Sequence, residues 1–201
     1  MKRYGLVIDL ERCVGCHTCT IACKVENGME AGSGIRVETI GGGRQDTPSG
    51  RYPAVSMHFR PVACMHCQEP PCRDACPAGA ISCRPDGIVL LDEALCDGCR
   101  ACLSSCPYGA LAWDEETSTV RKCNLCCHRL DEGFEPFCVL CCGNGAMSFG
   151  DLADADSSVS RLVSQRGAGT LKPELGTRPS VFYCQPGEKR TTSVSDPDIR
   201  L

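Results

Sequence analysis

Apolar residues along this chain come in short runs separated by turn residues, a pattern that predicts short strands and helices rather than long ones. Tyr4 to Asp9 has strand character and leads straight into a cysteine-rich loop. Ile81 to Leu91 carries Pro85-Asp86-Gly87 between two strand-like runs, and Leu111 to Arg121 carries Asp114 to Ser118 between two more, so both read as β-hairpins. Thr18 to Val25 and Arg100 to Ser105 have the length of single helical segments. Glu30 to Arg60 is an insertion without cysteine. Strand-like Ile35 to Ile40, then Gly41-Gly42-Gly43, a polar turn and a second run from Ala54 to Phe59 predict a long hairpin, a wing over the body or a contact for a partner. After Gly150, Asp156 is placed to cap a short amphipathic helix bearing Val159, Leu162 and Val163 and stopping at Gly167. The Pro-rich tail, LKPELGTRPSVFY onward, reads as an extended arm lying on a neighbour or on the body. The expected class is α+β.

Composition changes this picture at one point. Among 201 residues there are 20 Cys, 21 Gly and 13 Pro but only 1 Trp, 4 Tyr and 5 Phe. The apolar interior is therefore thin, and what the cysteines bind is expected to serve as core. A net charge of −4 without blocks of like charge predicts no nucleic-acid partner. Apolar stretches such as Gly87 to Leu91 fall far short of the roughly 18 residues of a membrane helix. The opening MKRYGLVIDLERC reaches Asp9 before a signal-like apolar region forms, so any export is expected to ride on a partner.

Sixteen of the 20 cysteines fall into four groups. Cys13, Cys16, Cys19 and Cys23 follow the spacing C-x2-C-x2-C-x3-C, and Cys96, Cys99, Cys102 and Cys106 repeat it before Pro107, which is the bacterial ferredoxin run. Cys64, Cys67, Cys72 and Cys76 stretch the middle gap. Cys123, Cys126, Cys138 and Cys142 form the loosest group, with Cys127 and Cys141 as competitors. A repeat helps to choose between them: Cys76-Pro-Ala-Gly-Ala-Ile, Cys106-Pro-Tyr-Gly-Ala-Leu and Cys142-Gly-Asn-Gly-Ala-Met share one phase, which favours Cys142 over Cys141. Cys126 keeps the two-residue gap from Cys123 and is favoured over Cys127.

Three thiolates on a tight loop can hold three corners of a cubane, and in two-cluster ferredoxins the fourth ligand comes from the other run. The expected 4Fe-4S ligands are therefore Cys13, Cys16, Cys19 and Cys142 for a first cluster and Cys23, Cys123, Cys126 and Cys138 for a second. Cys64, Cys67, Cys72 and Cys106 would hold a third, and Cys76, Cys96, Cys99 and Cys102 a fourth. The matching organisation is an outer ferredoxin-like module from 1–29 and 112–150, a hairpin insertion at 30–61, an inner module at 62–111, and a C-terminal helix and arm at 151–201. Disulfides call for an oxidising compartment, and structural zinc calls for two separated pairs rather than a continuous run of four. Cys83, Cys127, Cys141 and Cys184 read as free thiols. His17, His66 and His128 lie in or beside the groups, where cysteine already supplies enough ligands. Lys24, Arg100, Arg121 and Lys122 adjoin ligand positions, where positive charge raises a cluster's potential, although most read as solvated surface charge. No nucleophile elbow, GxGxxG or HExxH is present, so no catalytic residue is expected.

In this order and with these spacings, RCVGCHTCTIACK, CMHCQEPPCRDACPAGAI, CDGCRACLSSCPYGAL and RKCNLCCHRLDEG resemble the four-cluster iron-sulfur subunit of the dimethyl-sulfoxide-reductase superfamily, and FGDLAD and LKPELGTRPSVFY resemble its tail. The tail is similar to that of the polysulfide, thiosulfate and arsenate reductase branch. Gly143 and the thiols Cys127 and Cys141 depart from the family pattern. The resemblance implies an electron-transfer subunit with no chemistry of its own. Its implied partner is a catalytic subunit with a molybdenum or tungsten bis-pyranopterin cofactor, often with an integral-membrane, quinone-reactive anchor. It also implies work on the periplasmic side after co-export with a signal-bearing partner, or alternatively in the cytoplasm. A free polyferredoxin carrier and a zinc-stapled interaction module are the competing readings.

Overall fold

The computed structural model describes residues 1–29, 34–187 and 199–200. The start of the predicted insertion, 30–33, and the tail segments 188–198 and 201 lie outside the described residues. In chain order the first elements are β1 (Tyr4–Asp9), α1 (Thr18–Asn27), β2 (Arg36–Ile40), β3 (Ser49–Arg51), β4 (Ala54–Ser56), β5 (His58–Val62), α2 (Pro71–Asp74), β6 (Ile81–Cys83) and β7 (Val89–Leu91). They are followed by α3 (Ala101–Ser105), β8 (Leu111–Asp114), β9 (Thr119–Lys122), α4 (Cys127–Asp131), α5 (Phe137–Leu140), β10 (Met147–Asp151), α6 (Ser158–Arg166), β11 (Thr170–Leu171) and β12 (Val181–Cys184).

β1 is the middle strand of a three-stranded sheet. It pairs antiparallel with β10, Leu6 opposite Phe149, and parallel with β12, Ile8 opposite Tyr183. Both faces of β1 are covered, which accounts for its unbroken apolar run. Leu6 and Ile8 face the cysteine-rich core, whereas Val7 packs with Val159 and Cys184 on the side that α6 covers. Strand alternation thus divides six residues between two compartments. The main core contains Cys19, Cys23, Cys64, Cys67 and Cys138 beside Leu6, Ile8, Met65, Ile88, Leu125 and Tyr183. Thiols do pack where an aromatic-poor chain lacks larger side chains.

The hairpins β6–β7 and β8–β9 form where the turn residues predicted them. The insertion is more elaborate than one hairpin. β2 pairs with β5, and a second small hairpin, β3–β4, caps the far end, so the predicted run from Ala54 to Phe59 is divided between two strands at Met57. α1 runs two residues beyond Val25 and stops at Gly28, whose φ of 57° suits a residue without a side chain.

Two expectations need correction. The cap of α6 is Ser157, not Asp156: the Ser157 hydroxyl accepts the Ser160 N–H at 3.2 Å and donates to the Asp151 carbonyl at 2.6 Å. Asp156 is instead exposed and pairs with Arg161. The tail is also more than an arm laid on the body, because Val181, Tyr183 and Cys184 in β12 are fully buried and Tyr183 donates to the Pro61 carbonyl at 2.9 Å.

Candidate iron-sulfur sites

The first and third cysteine loops share one backbone conformation. Gly15 and His17 in Cys13-Val-Gly-Cys-His have φ of 70° and 58°, and Gly98 and Arg100 in Cys96-Asp-Gly-Cys-Arg have 73° and 62°. His17 and Arg100 then stand at the N-caps of α1 and α3. Left-handed residues within such loops turn successive N–H groups inward, the arrangement that receives negatively charged sulfur. A backbone N–H of Gly15 serves Cys13, one of Thr18 serves Cys16 and one of Thr20 serves Cys19. The Cys-x-x-Gly repeat is likewise one turn used three times. Gly79, Gly109 and Gly145 all have positive φ, and each donates its N–H to the carbonyl of Cys76, Cys106 or Cys142.

Helices determine which thiols meet. Cys19 and Cys23 are four residues apart on and near one face of α1, and Cys138 and Cys142 have the same separation on and just beyond α5, which packs against α1. Cys72 with Cys76 around α2, and Cys102 with Cys106 around α3, repeat the arrangement in a second packed helix pair. Cys13, Cys16, Cys19 and Cys142 line one small cavity, and Cys64, Cys67, Cys72 and Cys106 line another. Cys141 lines neither. Cys138 stands within electrostatic reach of Cys23, Cys123 and Cys126, and Cys102 within reach of Cys76, Cys96 and Cys99.

Burial is the first cause of the thiol shifts and mutual repulsion adds to it. Cys19 is pushed up to about 11, and Cys67 and Cys72 to about 12. Cys138 and Cys123 are also pushed well up. Cys16 moves the other way, because the Thr18 hydroxyl bonds to its sulfur at 3.4 Å. Thiols brought together in this way must give up protons to a metal centre or stay neutral. Among the described residues no three His, Cys, Asp or Glu side chains close to the spacing of a single metal ion. Thiol quartets that do not close on one metal ion, with all-sulfur donors, suit iron-sulfur cubanes rather than a zinc tetrahedron.

Comparison with known proteins agrees with this geometry. A family model described as a 4Fe-4S dicluster domain matches residues 55–152, and one described as a 4Fe-4S binding domain matches residues 4–25. A dimethyl sulfoxide reductase iron-sulfur subunit of Halobacterium salinarum is 43% identical, over 91% of this chain and 79% of its own length. The chain belongs to the family of iron-sulfur subunits of reductase-type complexes. This iron-sulfur subunit is also similar to a tetrathionate reductase subunit of Salmonella typhimurium, at 40% identity over 90% of the chain and 72% of the relative. A sulfite dehydrogenase subunit of Allochromatium vinosum is 38% identical over 98% of the chain and 88% of its own length. Ferredoxin-like 4Fe-4S domains and single-electron transfer therefore define its role, and catalysis belongs to another subunit.

The remaining candidates of the iron-sulfur subunit separate by environment. His128 pairs with Glu26 at 2.8 Å on the surface, holding that carboxyl below its usual range. His66 is buried, and its Nδ1 accepts the Val89 N–H at 3.1 Å. Arg100 stacks over the Trp113 ring, and Arg121 pairs with Asp114. Lys122 alone of the four basic candidates is buried. Asn27 escaped notice in the sequence although it lies one turn after Cys23; its amide reaches the sulfurs of Cys23 and Cys126 at 3.8 and 3.7 Å. Thr177, which bonds to Cys67 from the distant tail, gave no local signal.

Proposed function

We propose that the subunit holds four 4Fe-4S clusters in single file and relays electrons between a molybdenum or tungsten bis-pyranopterin catalytic subunit and a quinone-linked membrane anchor or other redox partner. Each cluster, when bound, exchanges one electron. The ligands are those of the four quartets: Cys13, Cys16, Cys19, Cys142; Cys23, Cys123, Cys126, Cys138; Cys64, Cys67, Cys72, Cys106; and Cys76, Cys96, Cys99, Cys102. The outer module, 1–29 with 112–150, would carry the first two and the inner module, 62–111, the others.

The observation that carries this reading is the sharing of helices. Cysteines four residues apart serve neighbouring quartets, which couples the first quartet to the second and the third to the fourth. Cys138 also feels Cys19, and Cys123 feels Cys64, so the second quartet is within electrostatic reach of both the first and the third, which supports the order first, second, third, fourth. A catalytic partner is supported by the relatives, whose names are those of subunits of reductases and a dehydrogenase.

The test is to isolate the protein anaerobically from its native cells with whatever stays bound, and to measure iron, molybdenum, tungsten and zinc per copy. Roughly 16 or more iron atoms with stoichiometric molybdenum or tungsten is the expected result. The same iron without either metal would make it a free polyferredoxin, and zinc in place of iron would overturn the reading.

A further inference from the structure

Lys122 sits at the end of β9, directly before Cys123, and is only 4% exposed. Its ammonium donates to two carbonyl oxygens, those of Val89 and Cys123, the latter at 2.8 Å. Among the described residues no carboxylate pairs with it. A buried ammonium without a counter-charge is costly, and carbonyl dipoles alone compensate it incompletely. The groups within its electrostatic reach that become anionic on binding a metal centre are thiols, Cys123 of the second quartet and Cys72 of the third. Val89 accepts from Lys122 through its carbonyl and gives its N–H to His66, so β7 fixes both side chains. The other basic residues beside ligands are stacked on Trp113, paired with Asp114 or partly exposed.

We infer that Lys122 is a positioning charge for electron transfer, the shared counter-ion of the second and third clusters, raising the potentials of both and of neither end cluster. A cubane with its four thiolates becomes one charge more negative with each electron it accepts. A fixed cation in a low-dielectric setting therefore favours the reduced form, and it does so most for the nearest clusters. The inference rests on the four-cluster reading above.

The experiment is a redox titration followed by electron paramagnetic resonance on the intact complex, comparing wild type with Lys122→Gln, Lys122→Met and Lys122→Arg. Gln keeps a donor for the two carbonyls but carries no charge, whereas Arg keeps the charge. The expected result for Gln is full iron content with two of four midpoint potentials lowered, and for Arg a pattern close to wild type. Four unmoved potentials, or an equal shift of all four, would overturn the proposal. So would loss of iron from Gln and Met alike, which would make Lys122 a folding residue. Fewer than four clusters in the wild type would instead defeat the functional reading itself.

Discussion

Cys16 and Cys99, in the first and fourth quartets, are exposed although Cys19 and Cys102 beside them are buried, whereas Cys67, Cys72 and Cys138 in the second and third quartets are buried, Cys123 is half-buried, and burial pushes these four thiols far up. Charge is handled differently in the two settings. Near the ends, Arg100 and Arg121 are stacked or paired and water is close. In the middle, one lysine stands without a carboxylate among the described residues. Cysteine loops of one chain can thus feel different fields, because depth within the protein sets the strength of each charge.

The largest break in this comparison comes from removing an end. Cys142→Ser should cost one cluster, about a quarter of the iron, while Cys141→Ser should keep it all. Iron analysis with resonance spectra of both variants decides this, and equal losses would undo the phase assigned from the Cys-x-x-Gly turn. A smaller effect is expected of Thr18→Val, which removes the hydroxyl that bonds to Cys16. Only the first cluster's potential should fall, and by less than the shifts in Lys122→Gln, since a neutral bond near solvent is worth less than a buried charge. A larger shift at this end would mean that depth is not the governing variable.

The smallest effect concerns how the middle is fastened from outside. Arg84, in the β6–β7 turn, meets Asp131 at the end of α4 through two bonds of 2.7 and 3.0 Å. This pairing holds the Asp131 carboxyl below its usual range. A depressed carboxylate stabilises the fold above its unfolded value, near 4, and that stability is lost as pH falls through the lower folded value. Asp131→Asn should therefore lower the unfolding temperature slightly at neutral pH, and the gap to wild type should close in acid. A gap that persists at the lowest pH would assign the effect to packing instead.

Much of the fold was legible because it depends on nearby residues. Pro85-Asp86-Gly87 and Asp114 to Ser118 specify their hairpins through turn chemistry, and the phase of Gly145 pointed to Cys142 before any distance was known. The cap of α6 was missed by one residue, because Asp156 and Ser157 are both competent caps and the carbonyl of Asp151 decides between them. The tail was misread for a stronger reason. Nothing local in VFYC shows that β12 will pair parallel with β1, at the opposite end of the chain. A truncation after Gly167 would accordingly remove a strand of the central sheet.

The sequence by itself determined the cysteine loops, their glycine turns and the four-residue offset between cysteines of neighbouring quartets. These follow from backbone sterics and helical periodicity, which act over a few residues. The tertiary structure alone decided that β12 completes the sheet, that Thr177 reaches Cys67, and that Lys122 is buried while Arg121 beside it is paired with Asp114. Desolvation and charge depend on what the rest of the chain brings near, and adjacent residues in a strand face opposite ways.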